Sequence, residues 1–143
     1  MKVKIINKSN NPLPEYKYKY DSGMDLRAYL PEGPINIAPQ EIKIIPTGLY
    51  VETDPGYEIQ VRPKSGQSSK GLIAILGTVD SYNYKGEIGV IIINLSNAMK
   101  TIENGDRIAQ MVCARVEEME LEEVDKLTDS ERGTGGFGST GVK

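Results

Sequence analysis

Ile42-Lys43-Ile44-Ile45-Pro46-Thr47-Gly48-Leu49-Tyr50-Val51-Glu52-Thr53-Asp54-Pro55-Gly56-Tyr57-Glu58-Ile59-Gln60-Val61 is the stretch on which the fold class turns. It holds three short β-rich runs, Ile42 to Ile45, Leu49 to Val51 and Tyr57 to Val61. The turn former Asp54-Pro55-Gly56 separates the last two. No sustained 3.6-residue apolar period runs through the chain, so strands rather than helices are expected. The same pattern extends outward in both directions. Val3 to Ile6 and Ile35-Asn36-Ile37 read as earlier strands, and Leu72 to Leu76, Ile88 to Asn94 and Ile108 to Val116 as later ones. Pro31-Glu32-Gly33-Pro34 and Glu103-Asn104-Gly105-Asp106 supply further turns. Strands recurring about every 8–12 residues predict an all-β sandwich or barrel.

Three segments carry more specific expectations. Ile91-Ile92-Ile93 is apolar on both faces, so its strand is expected to be covered on both sides. In so small a domain, a second subunit is a candidate cover. Glu117 to Asp125, acidic with interleaved Met119, Leu121 and Val124, reads as an edge strand with a solvated face. Ser130 to Lys143 is glycine-rich, nearly devoid of core-forming side chains, and by composition a flexible C-terminal arm.

Composition narrows the chemistry. At 143 residues one domain is expected. The formal net charge of −3 argues against a non-specific nucleic-acid binder. A polyphosphate ligand therefore needs a few placed cations or a metal. With no histidine, Ser-His, Cys-His and His-ligated metal mechanisms are all excluded. The single cysteine, Cys113, lies in the apolar run Met111-Val112-Cys113-Ala114 and reads as a buried, inert thiol. The first residues lack a long apolar segment, and nothing later approaches the roughly 18 consecutive apolar residues of a membrane span. The expectation is a soluble, cytoplasmic protein with no membrane partner.

Two glycine-rich stretches are decoys. Gly136-Phe137-Gly138-Ser139-Thr140-Gly141 matches G-x-G-x-x-G, but that fingerprint works only between a strand and a helix of a βαβ unit. Gly66-Gln67-Ser68-Ser69-Lys70-Gly71 lacks the Lys-Ser/Thr of a Walker A loop. Ser65 and Gly66 still offer hydroxyl and backbone N–H donors for a phosphate. In Gly77-Thr78-Val79-Asp80-Ser81-Tyr82-Asn83-Tyr84-Lys85-Gly86-Glu87 an aspartate ends an apolar strand before a tyrosine-containing hairpin. Asp80 reads either as a turn former or as a carboxylate at a pocket mouth, able to orient a water.

The combination is specific. Ser22-Gly23-Met24-Asp25-Leu26-Arg27-Ala28 and Pro63-Lys64-Ser65-Gly66 precede the Gly77–Glu87 hairpin. Gly105-Asp106-Arg107-Ile108-Ala109-Gln110 and Arg132-Gly133-Thr134-Gly135-Gly136-Phe137-Gly138-Ser139-Thr140-Gly141 follow it. In order and spacing these resemble the five motifs of the trimeric dUTP pyrophosphatases, from about Tyr20 to the C-terminus.

The resemblance implies a jelly-roll-like β-barrel over residues 1–128, with residues 129–143 as a mobile lid. It implies a homotrimer with shared active sites. Its reaction, hydrolysis of dUTP to dUMP and pyrophosphate, limits uracil incorporation into DNA and supplies dUMP for thymidylate synthesis. Asp80 would deprotonate the water that attacks the α-phosphorus in line. The hairpin, including Val79, would read uracil, and a hairpin tyrosine would pack on the deoxyribose and exclude a 2′-hydroxyl. Lys64, Ser65, Gly66 and Gln110 would contact phosphates. Arg132 would meet the terminal phosphates, Phe137 would stack on uracil, and Gly138, Ser139 and Thr140 would finish the cradle. Mg²⁺ would be held through the phosphates and waters, with Asp25 nearby and no direct protein ligand.

The chain departs from the pattern at three places. Lys64 replaces the usual arginine, keeping the charge but losing the fork. Met24 stands where an aromatic is more common. The hairpin has one extra residue between Asp80 and Gly86, so the family tyrosine falls on Tyr84 counted back from Gly86 and on Asn83 counted forward from Asp80. Tyr84 is favoured, with Tyr82 as the alternative. Two other readings stay open: dCTP deamination on the same scaffold, and a catalytically silent β-barrel module.

Overall fold

The computed structural model describes residues 1–136. Eleven strands and one helical turn succeed one another along these residues. The strands are β1 (Lys4–Asn7), β2 (Met24–Arg27), β3 (Ile35–Ile37), β4 (Ile42–Pro46), β5 (Leu49–Glu52), β6 (Tyr57–Arg62), β7 (Leu72–Ala74), β8 (Gly77–Val79), β9 (Gly89–Asn94), β10 (Lys100–Ile102) and β11 (Arg107–Arg115). The helical turn α1 (Ser65–Ser68) lies between β6 and β7.

All described pairings are antiparallel. A four-stranded sheet runs β2-β11-β6-β8 and a three-stranded sheet runs β4-β9-β7, with two-stranded pairs β1-β5 and β3-β10 beside them. Alternation decides which side chains meet between the sheets. Leu26, Ile59, Val61, Ala109 and Met111 point inward from the first sheet, and Ile45, Val90, Ile92 and Ala74 from the second. All are buried in one apolar cluster. The all-β, sandwich-like architecture matches the sequence expectation.

The nine-residue β11 matters most for the site, because it is the central strand of the larger sheet. It pairs with β2 through a register shift between Arg107 and Ala109, and with β6 from Gln110 to Arg115. Gln110 therefore sits opposite Asp25 on one side and Arg62 on the other. Because neighbouring residues in a strand face opposite ways, this row of three polar side chains lies on the face away from Leu26, Ala109 and Val61.

Several local expectations are corrected. β2, inside the first motif, and β10 are further strands that the sequence pattern did not mark, whereas β8 is the apolar strand that Asp80 ends. Within Leu72 to Leu76 the strand ends at Ala74, with one further bond to β9 from the Ile75 N–H to the Ile91 carbonyl at 2.8 Å. Glu117 to Asp125 is not an edge strand. The Val116 N–H still bonds the Gly56 carbonyl at 2.9 Å, but β6 has already ended opposite Arg115 and β2 opposite Met111. The chain has run past both neighbours, and Met119 and Leu121 are left exposed.

On β9, Ile92 is buried while Ile91 is open to solvent. Ile91 is paired across the sheet with Ile44, and Ile93 with Ile42; Ile44 is 67% exposed and Ile42 55%. Cover on both faces was expected, and within one chain only the inner face has it. Among the described residues, no helix is long and apolar enough to cross a membrane.

Candidate active site

The first and fourth motifs are clasped together. The Ala28 N–H bonds the Asp106 carbonyl at 2.9 Å, the Gly105 N–H bonds the Ala28 carbonyl at 2.8 Å, and Arg27 Nη1 bonds the Gly105 carbonyl at 2.8 Å. Gly105 makes this turn with a φ of 87°, a conformation that favours glycine. Gly23 is needed for a different reason. A Cβ there would stand 2.8 Å from Gln110 Oε1 and 3.0 Å from the Met111 carbonyl, so only glycine lets the start of β2 approach β11.

A groove of about 600 Å³ opens over the Asp25–Gln110–Arg62 row. Lys17, Tyr18, Asp21, Lys64 and Arg107 line it as well. The Lys64 ammonium pairs with Asp25 Oδ1, and Arg107 Nη1 lies 3.5 Å from Asp25 Oδ2. Gln110 Nε2 donates to the Pro63 carbonyl at 3.1 Å, and Arg62 Nε donates to Gln60 Oε1 at 2.8 Å. Four cationic side chains against two aspartates make this a seat for an anion. Lys64 immediately precedes α1, whose exposed first residues are Ser65 and Gly66. A Cβ on Gly66 would meet nothing within 4 Å, so the chain's own packing does not require glycine there.

The hairpin motif lies elsewhere. β8 pairs with β6 on the side away from β11, with Thr78 opposite Gln60. Beyond β8 the chain turns tightly, the Asp80 carbonyl accepting from the Asn83 N–H at 2.9 Å and the Tyr84 N–H at 2.7 Å. Asp80 is exposed. It shares a cleft of about 260 Å³ with Gly77, Val79, Tyr84 and Ile88. The Tyr84 ring lies against Gly86, where an added Cβ would collide with it, and its hydroxyl donates to the Glu87 carbonyl at 3.0 Å. Tyr82 lies on the other side of the hairpin, in a groove with Pro55, Glu58 and Glu118 that Asp80 also borders. Tyr84 and Val79 thus share one cleft with Asp80, and Tyr82 does not enter it.

The cationic groove and the Asp80 cleft have no lining residue in common. One chain brings Asp25, Lys64 and Gln110 together, and Val79, Asp80 and Tyr84 together, but on different parts of its surface. Arg132 belongs to neither set; it is exposed in a turn, with Nε donating to the Gly135 carbonyl at 2.8 Å. Phe137, Gly138, Ser139 and Thr140 lie outside the described residues. Sequence reasoning missed Lys17, Arg62 and Arg107 as groove cations. The signal for Arg62 was its place beside the second motif and for Arg107 its place inside the fourth, whereas Lys17 lies before the first.

The donor set can be weighed against a metal. Among the described residues, no group of three or more His, Cys, Asp or Glu side chains could hold one. Both oxygens of Asp25 already face cations. Such a site suits a divalent ion that arrives on polyphosphate better than one held by the protein. Cys113 is partly buried, and burial pushes its thiol up, away from the reactive thiolate.

A sequence profile of the family described as dUTPase matches residues 9–141. The chain is 54% identical to the deoxyuridine 5'-triphosphate nucleotidohydrolase of Finegoldia magna, with 99% of each chain covered. It is 49% identical to the enzyme of the same name from Cytophaga hutchinsonii, covering 97% of this chain and 91% of that one. Among solved structures, a point mutant of the Staphylococcus bacteriophage 80alpha dUTPase, with dUpNHpp, superposes with a TM-score of 0.88. It is 29% identical, over 99% of both chains.

Proposed function

The chain belongs to the dUTPase family, and its reaction is the hydrolysis of dUTP to dUMP and pyrophosphate; from that premise we propose a site assembled from more than one copy of the chain. The observation that carries this reading is the division of the motifs. The cationic groove of one protomer holds the triphosphate, and the Asp80 hairpin of another supplies the base, the water and the sugar contact. The exposed isoleucine face of β4 and β9 supports burial against further copies, three in all by family resemblance.

In the proposed mechanism the Asp80 carboxylate accepts a proton from a water held at the cleft mouth. The resulting hydroxide attacks the α-phosphorus as the α–β bridging bond breaks. The bonding electrons leave with pyrophosphate. Lys64, Arg62, Arg107 and Gln110 orient the phosphates so that the α-phosphorus lies in line with the water. Mg²⁺ on the phosphates would neutralise their charge, beside Asp25 and without a direct protein ligand.

Val79 and its neighbours offer backbone groups to the uracil edge. Tyr84, already in the cleft with Asp80, blocks the 2′ position of the sugar. Residues 129–143 close over the bound nucleotide, with Arg132 at the terminal phosphates and Phe137, Gly138, Ser139 and Thr140 completing the enclosure.

Subunit mixing tests the assembly. Asp80→Asn and Gln110→Ala should each be inactive alone, because one removes the base and the other a phosphate contact. Dissociated and reassembled together, they should regain part of the activity, since some mixed sites receive an intact half from each chain. Mixtures no more active than either parent would place both halves in one chain.

A further inference from the structure

The turn that carries Asp80 is mounted on the end of β5, by contacts outside the nucleotide cleft. Ser81, the next residue, is fully buried, and its Oγ lies 2.7 Å from the buried Thr53 Oγ1. Thr53 Oγ1 also donates to the Tyr57 carbonyl at 3.2 Å. A hydroxyl has one proton, so in the pair Ser81 donates and Thr53 accepts. One residue earlier, Glu52 Oε2 receives Lys85 Nζ at 2.5 Å, and the same ammonium donates to the Tyr82 carbonyl at 2.7 Å. Lys4 holds the other oxygen of Glu52 at 2.5 Å.

These ties grip the hairpin at residues 81, 82 and 85. None of Thr53, Ser81, Glu52 or Lys85 lines the cleft shared by Asp80 and Tyr84. The hairpin is one residue longer than the family pattern, and a longer loop has more conformations to restrict. The two ties differ in kind. The Thr53–Ser81 bond is shielded from water, so its loss leaves a buried hydroxyl without a partner. The Lys85 tie is exposed and individually weak.

We propose that Thr53, acting through Ser81, is a positioning residue that sets sugar selectivity from behind the hairpin. It fixes the backbone of Asp80 and so the separation between its carboxylate and the Tyr84 ring. Lys85 on Glu52 is the secondary tie. The inference rests on the hairpin role proposed above, because only a nucleotide placed between Asp80 and Tyr84 would sense the displacement.

The test is steady-state kinetics on dUTP and UTP for wild type, Thr53→Val, Ser81→Ala, the double variant, Thr53→Ser and Lys85→Met, each with its melting temperature. Thr53→Val and Ser81→Ala should each lower kcat on dUTP about tenfold and narrow the dUTP/UTP ratio of kcat/KM about tenfold. Thr53→Ser keeps the acceptor and should keep both values. The double variant should lose no more than the worse single variant, because the two hydroxyls act as one unit. Lys85→Met, on the surface and safe for the fold, should narrow the ratio about threefold. Folded variants that melt earlier yet keep wild-type kcat and selectivity would make the pair purely structural and overturn the proposal. A wild type that does not turn over dUTP would instead overturn the functional reading itself.

Discussion

Asp25 faces two cations at once, the Lys64 ammonium on one carboxylate oxygen and the Arg107 guanidinium 3.5 Å from the other. Lys64 stands where the family usually has arginine, and a single ammonium directed at Asp25 has less to offer a phosphate than a guanidinium fork. Lys64→Arg should therefore lower KM for dUTP a few-fold, and Lys64→Met should raise it about tenfold. Initial-rate measurements decide this. An unchanged KM in Lys64→Met would remove Lys64 from the phosphate site.

Lys4, and then Lys85, hold the Glu52 carboxyl down at about 2, from an ordinary value of 4.5. A depressed folded-state value means that the tether contributes fully above 4.5 and is lost as pH falls toward 2. A ¹³C titration of the Glu52 carboxyl should show this low midpoint, rising toward 4.5 in Lys4→Gln. A wild-type midpoint of 4.5 would mean that neither lysine engages it in solution.

The isoleucine face of β4 and β9 should be a contact between copies. Ile44→Lys places a charge at its 67% exposed centre and should shift sedimentation from the oligomer toward the monomer. Activity should fall with the mass, because under the proposed shared site a monomer would hold only separated halves. Unchanged mass and unchanged turnover would locate the interface elsewhere.

Deleting residues 129–143 tests the division into barrel and lid. Among the described residues, those of the buried core precede this segment, so the truncated protein should melt within a few degrees of the full chain. Its dUTP turnover should fall about a hundredfold, the scale of lost closure and positioning. A collapse of the melting transition would make the segment part of the fold.

The strands legible in the sequence were those with a run of β-branched residues, such as Ile42 to Ile45 and Ile88 to Asn94. β2 was hidden because Met24-Asp25-Leu26-Arg27 alternates over only four residues, two of them charged: Asp25 faces the groove and Arg27 bonds the Gly105 carbonyl. Its pairing with β11 depends on Gly23, whose role is visible only once Gln110 is beside it. Glu117 to Asp125 misled in the opposite way. It carries a strand-like pattern, yet among the described residues it has no neighbour to pair with. The motif residues were legible by resemblance, whereas their separation into two surface regions follows from strand order, with β8 and β2 on opposite edges of one sheet. Spacing alone gave Tyr84 counted back from Gly86 and Asn83 counted forward from Asp80, because an inserted residue is read from either end; Tyr82 stayed open as the other ring in the hairpin. The turn geometry puts only Tyr84 beside Asp80 in the cleft with Val79.

The most direct measurement is pyrophosphate release from dUTP, dCTP, dTTP and UTP, with and without Mg²⁺, for wild type and Asp80→Asn. Wild type should show Mg²⁺-dependent turnover of dUTP, little of the other three and no ammonia from dCTP, and Asp80→Asn should lose at least about a thousandfold. Full activity in Asp80→Asn, or equal rates on dUTP and UTP, would contradict the proposed function.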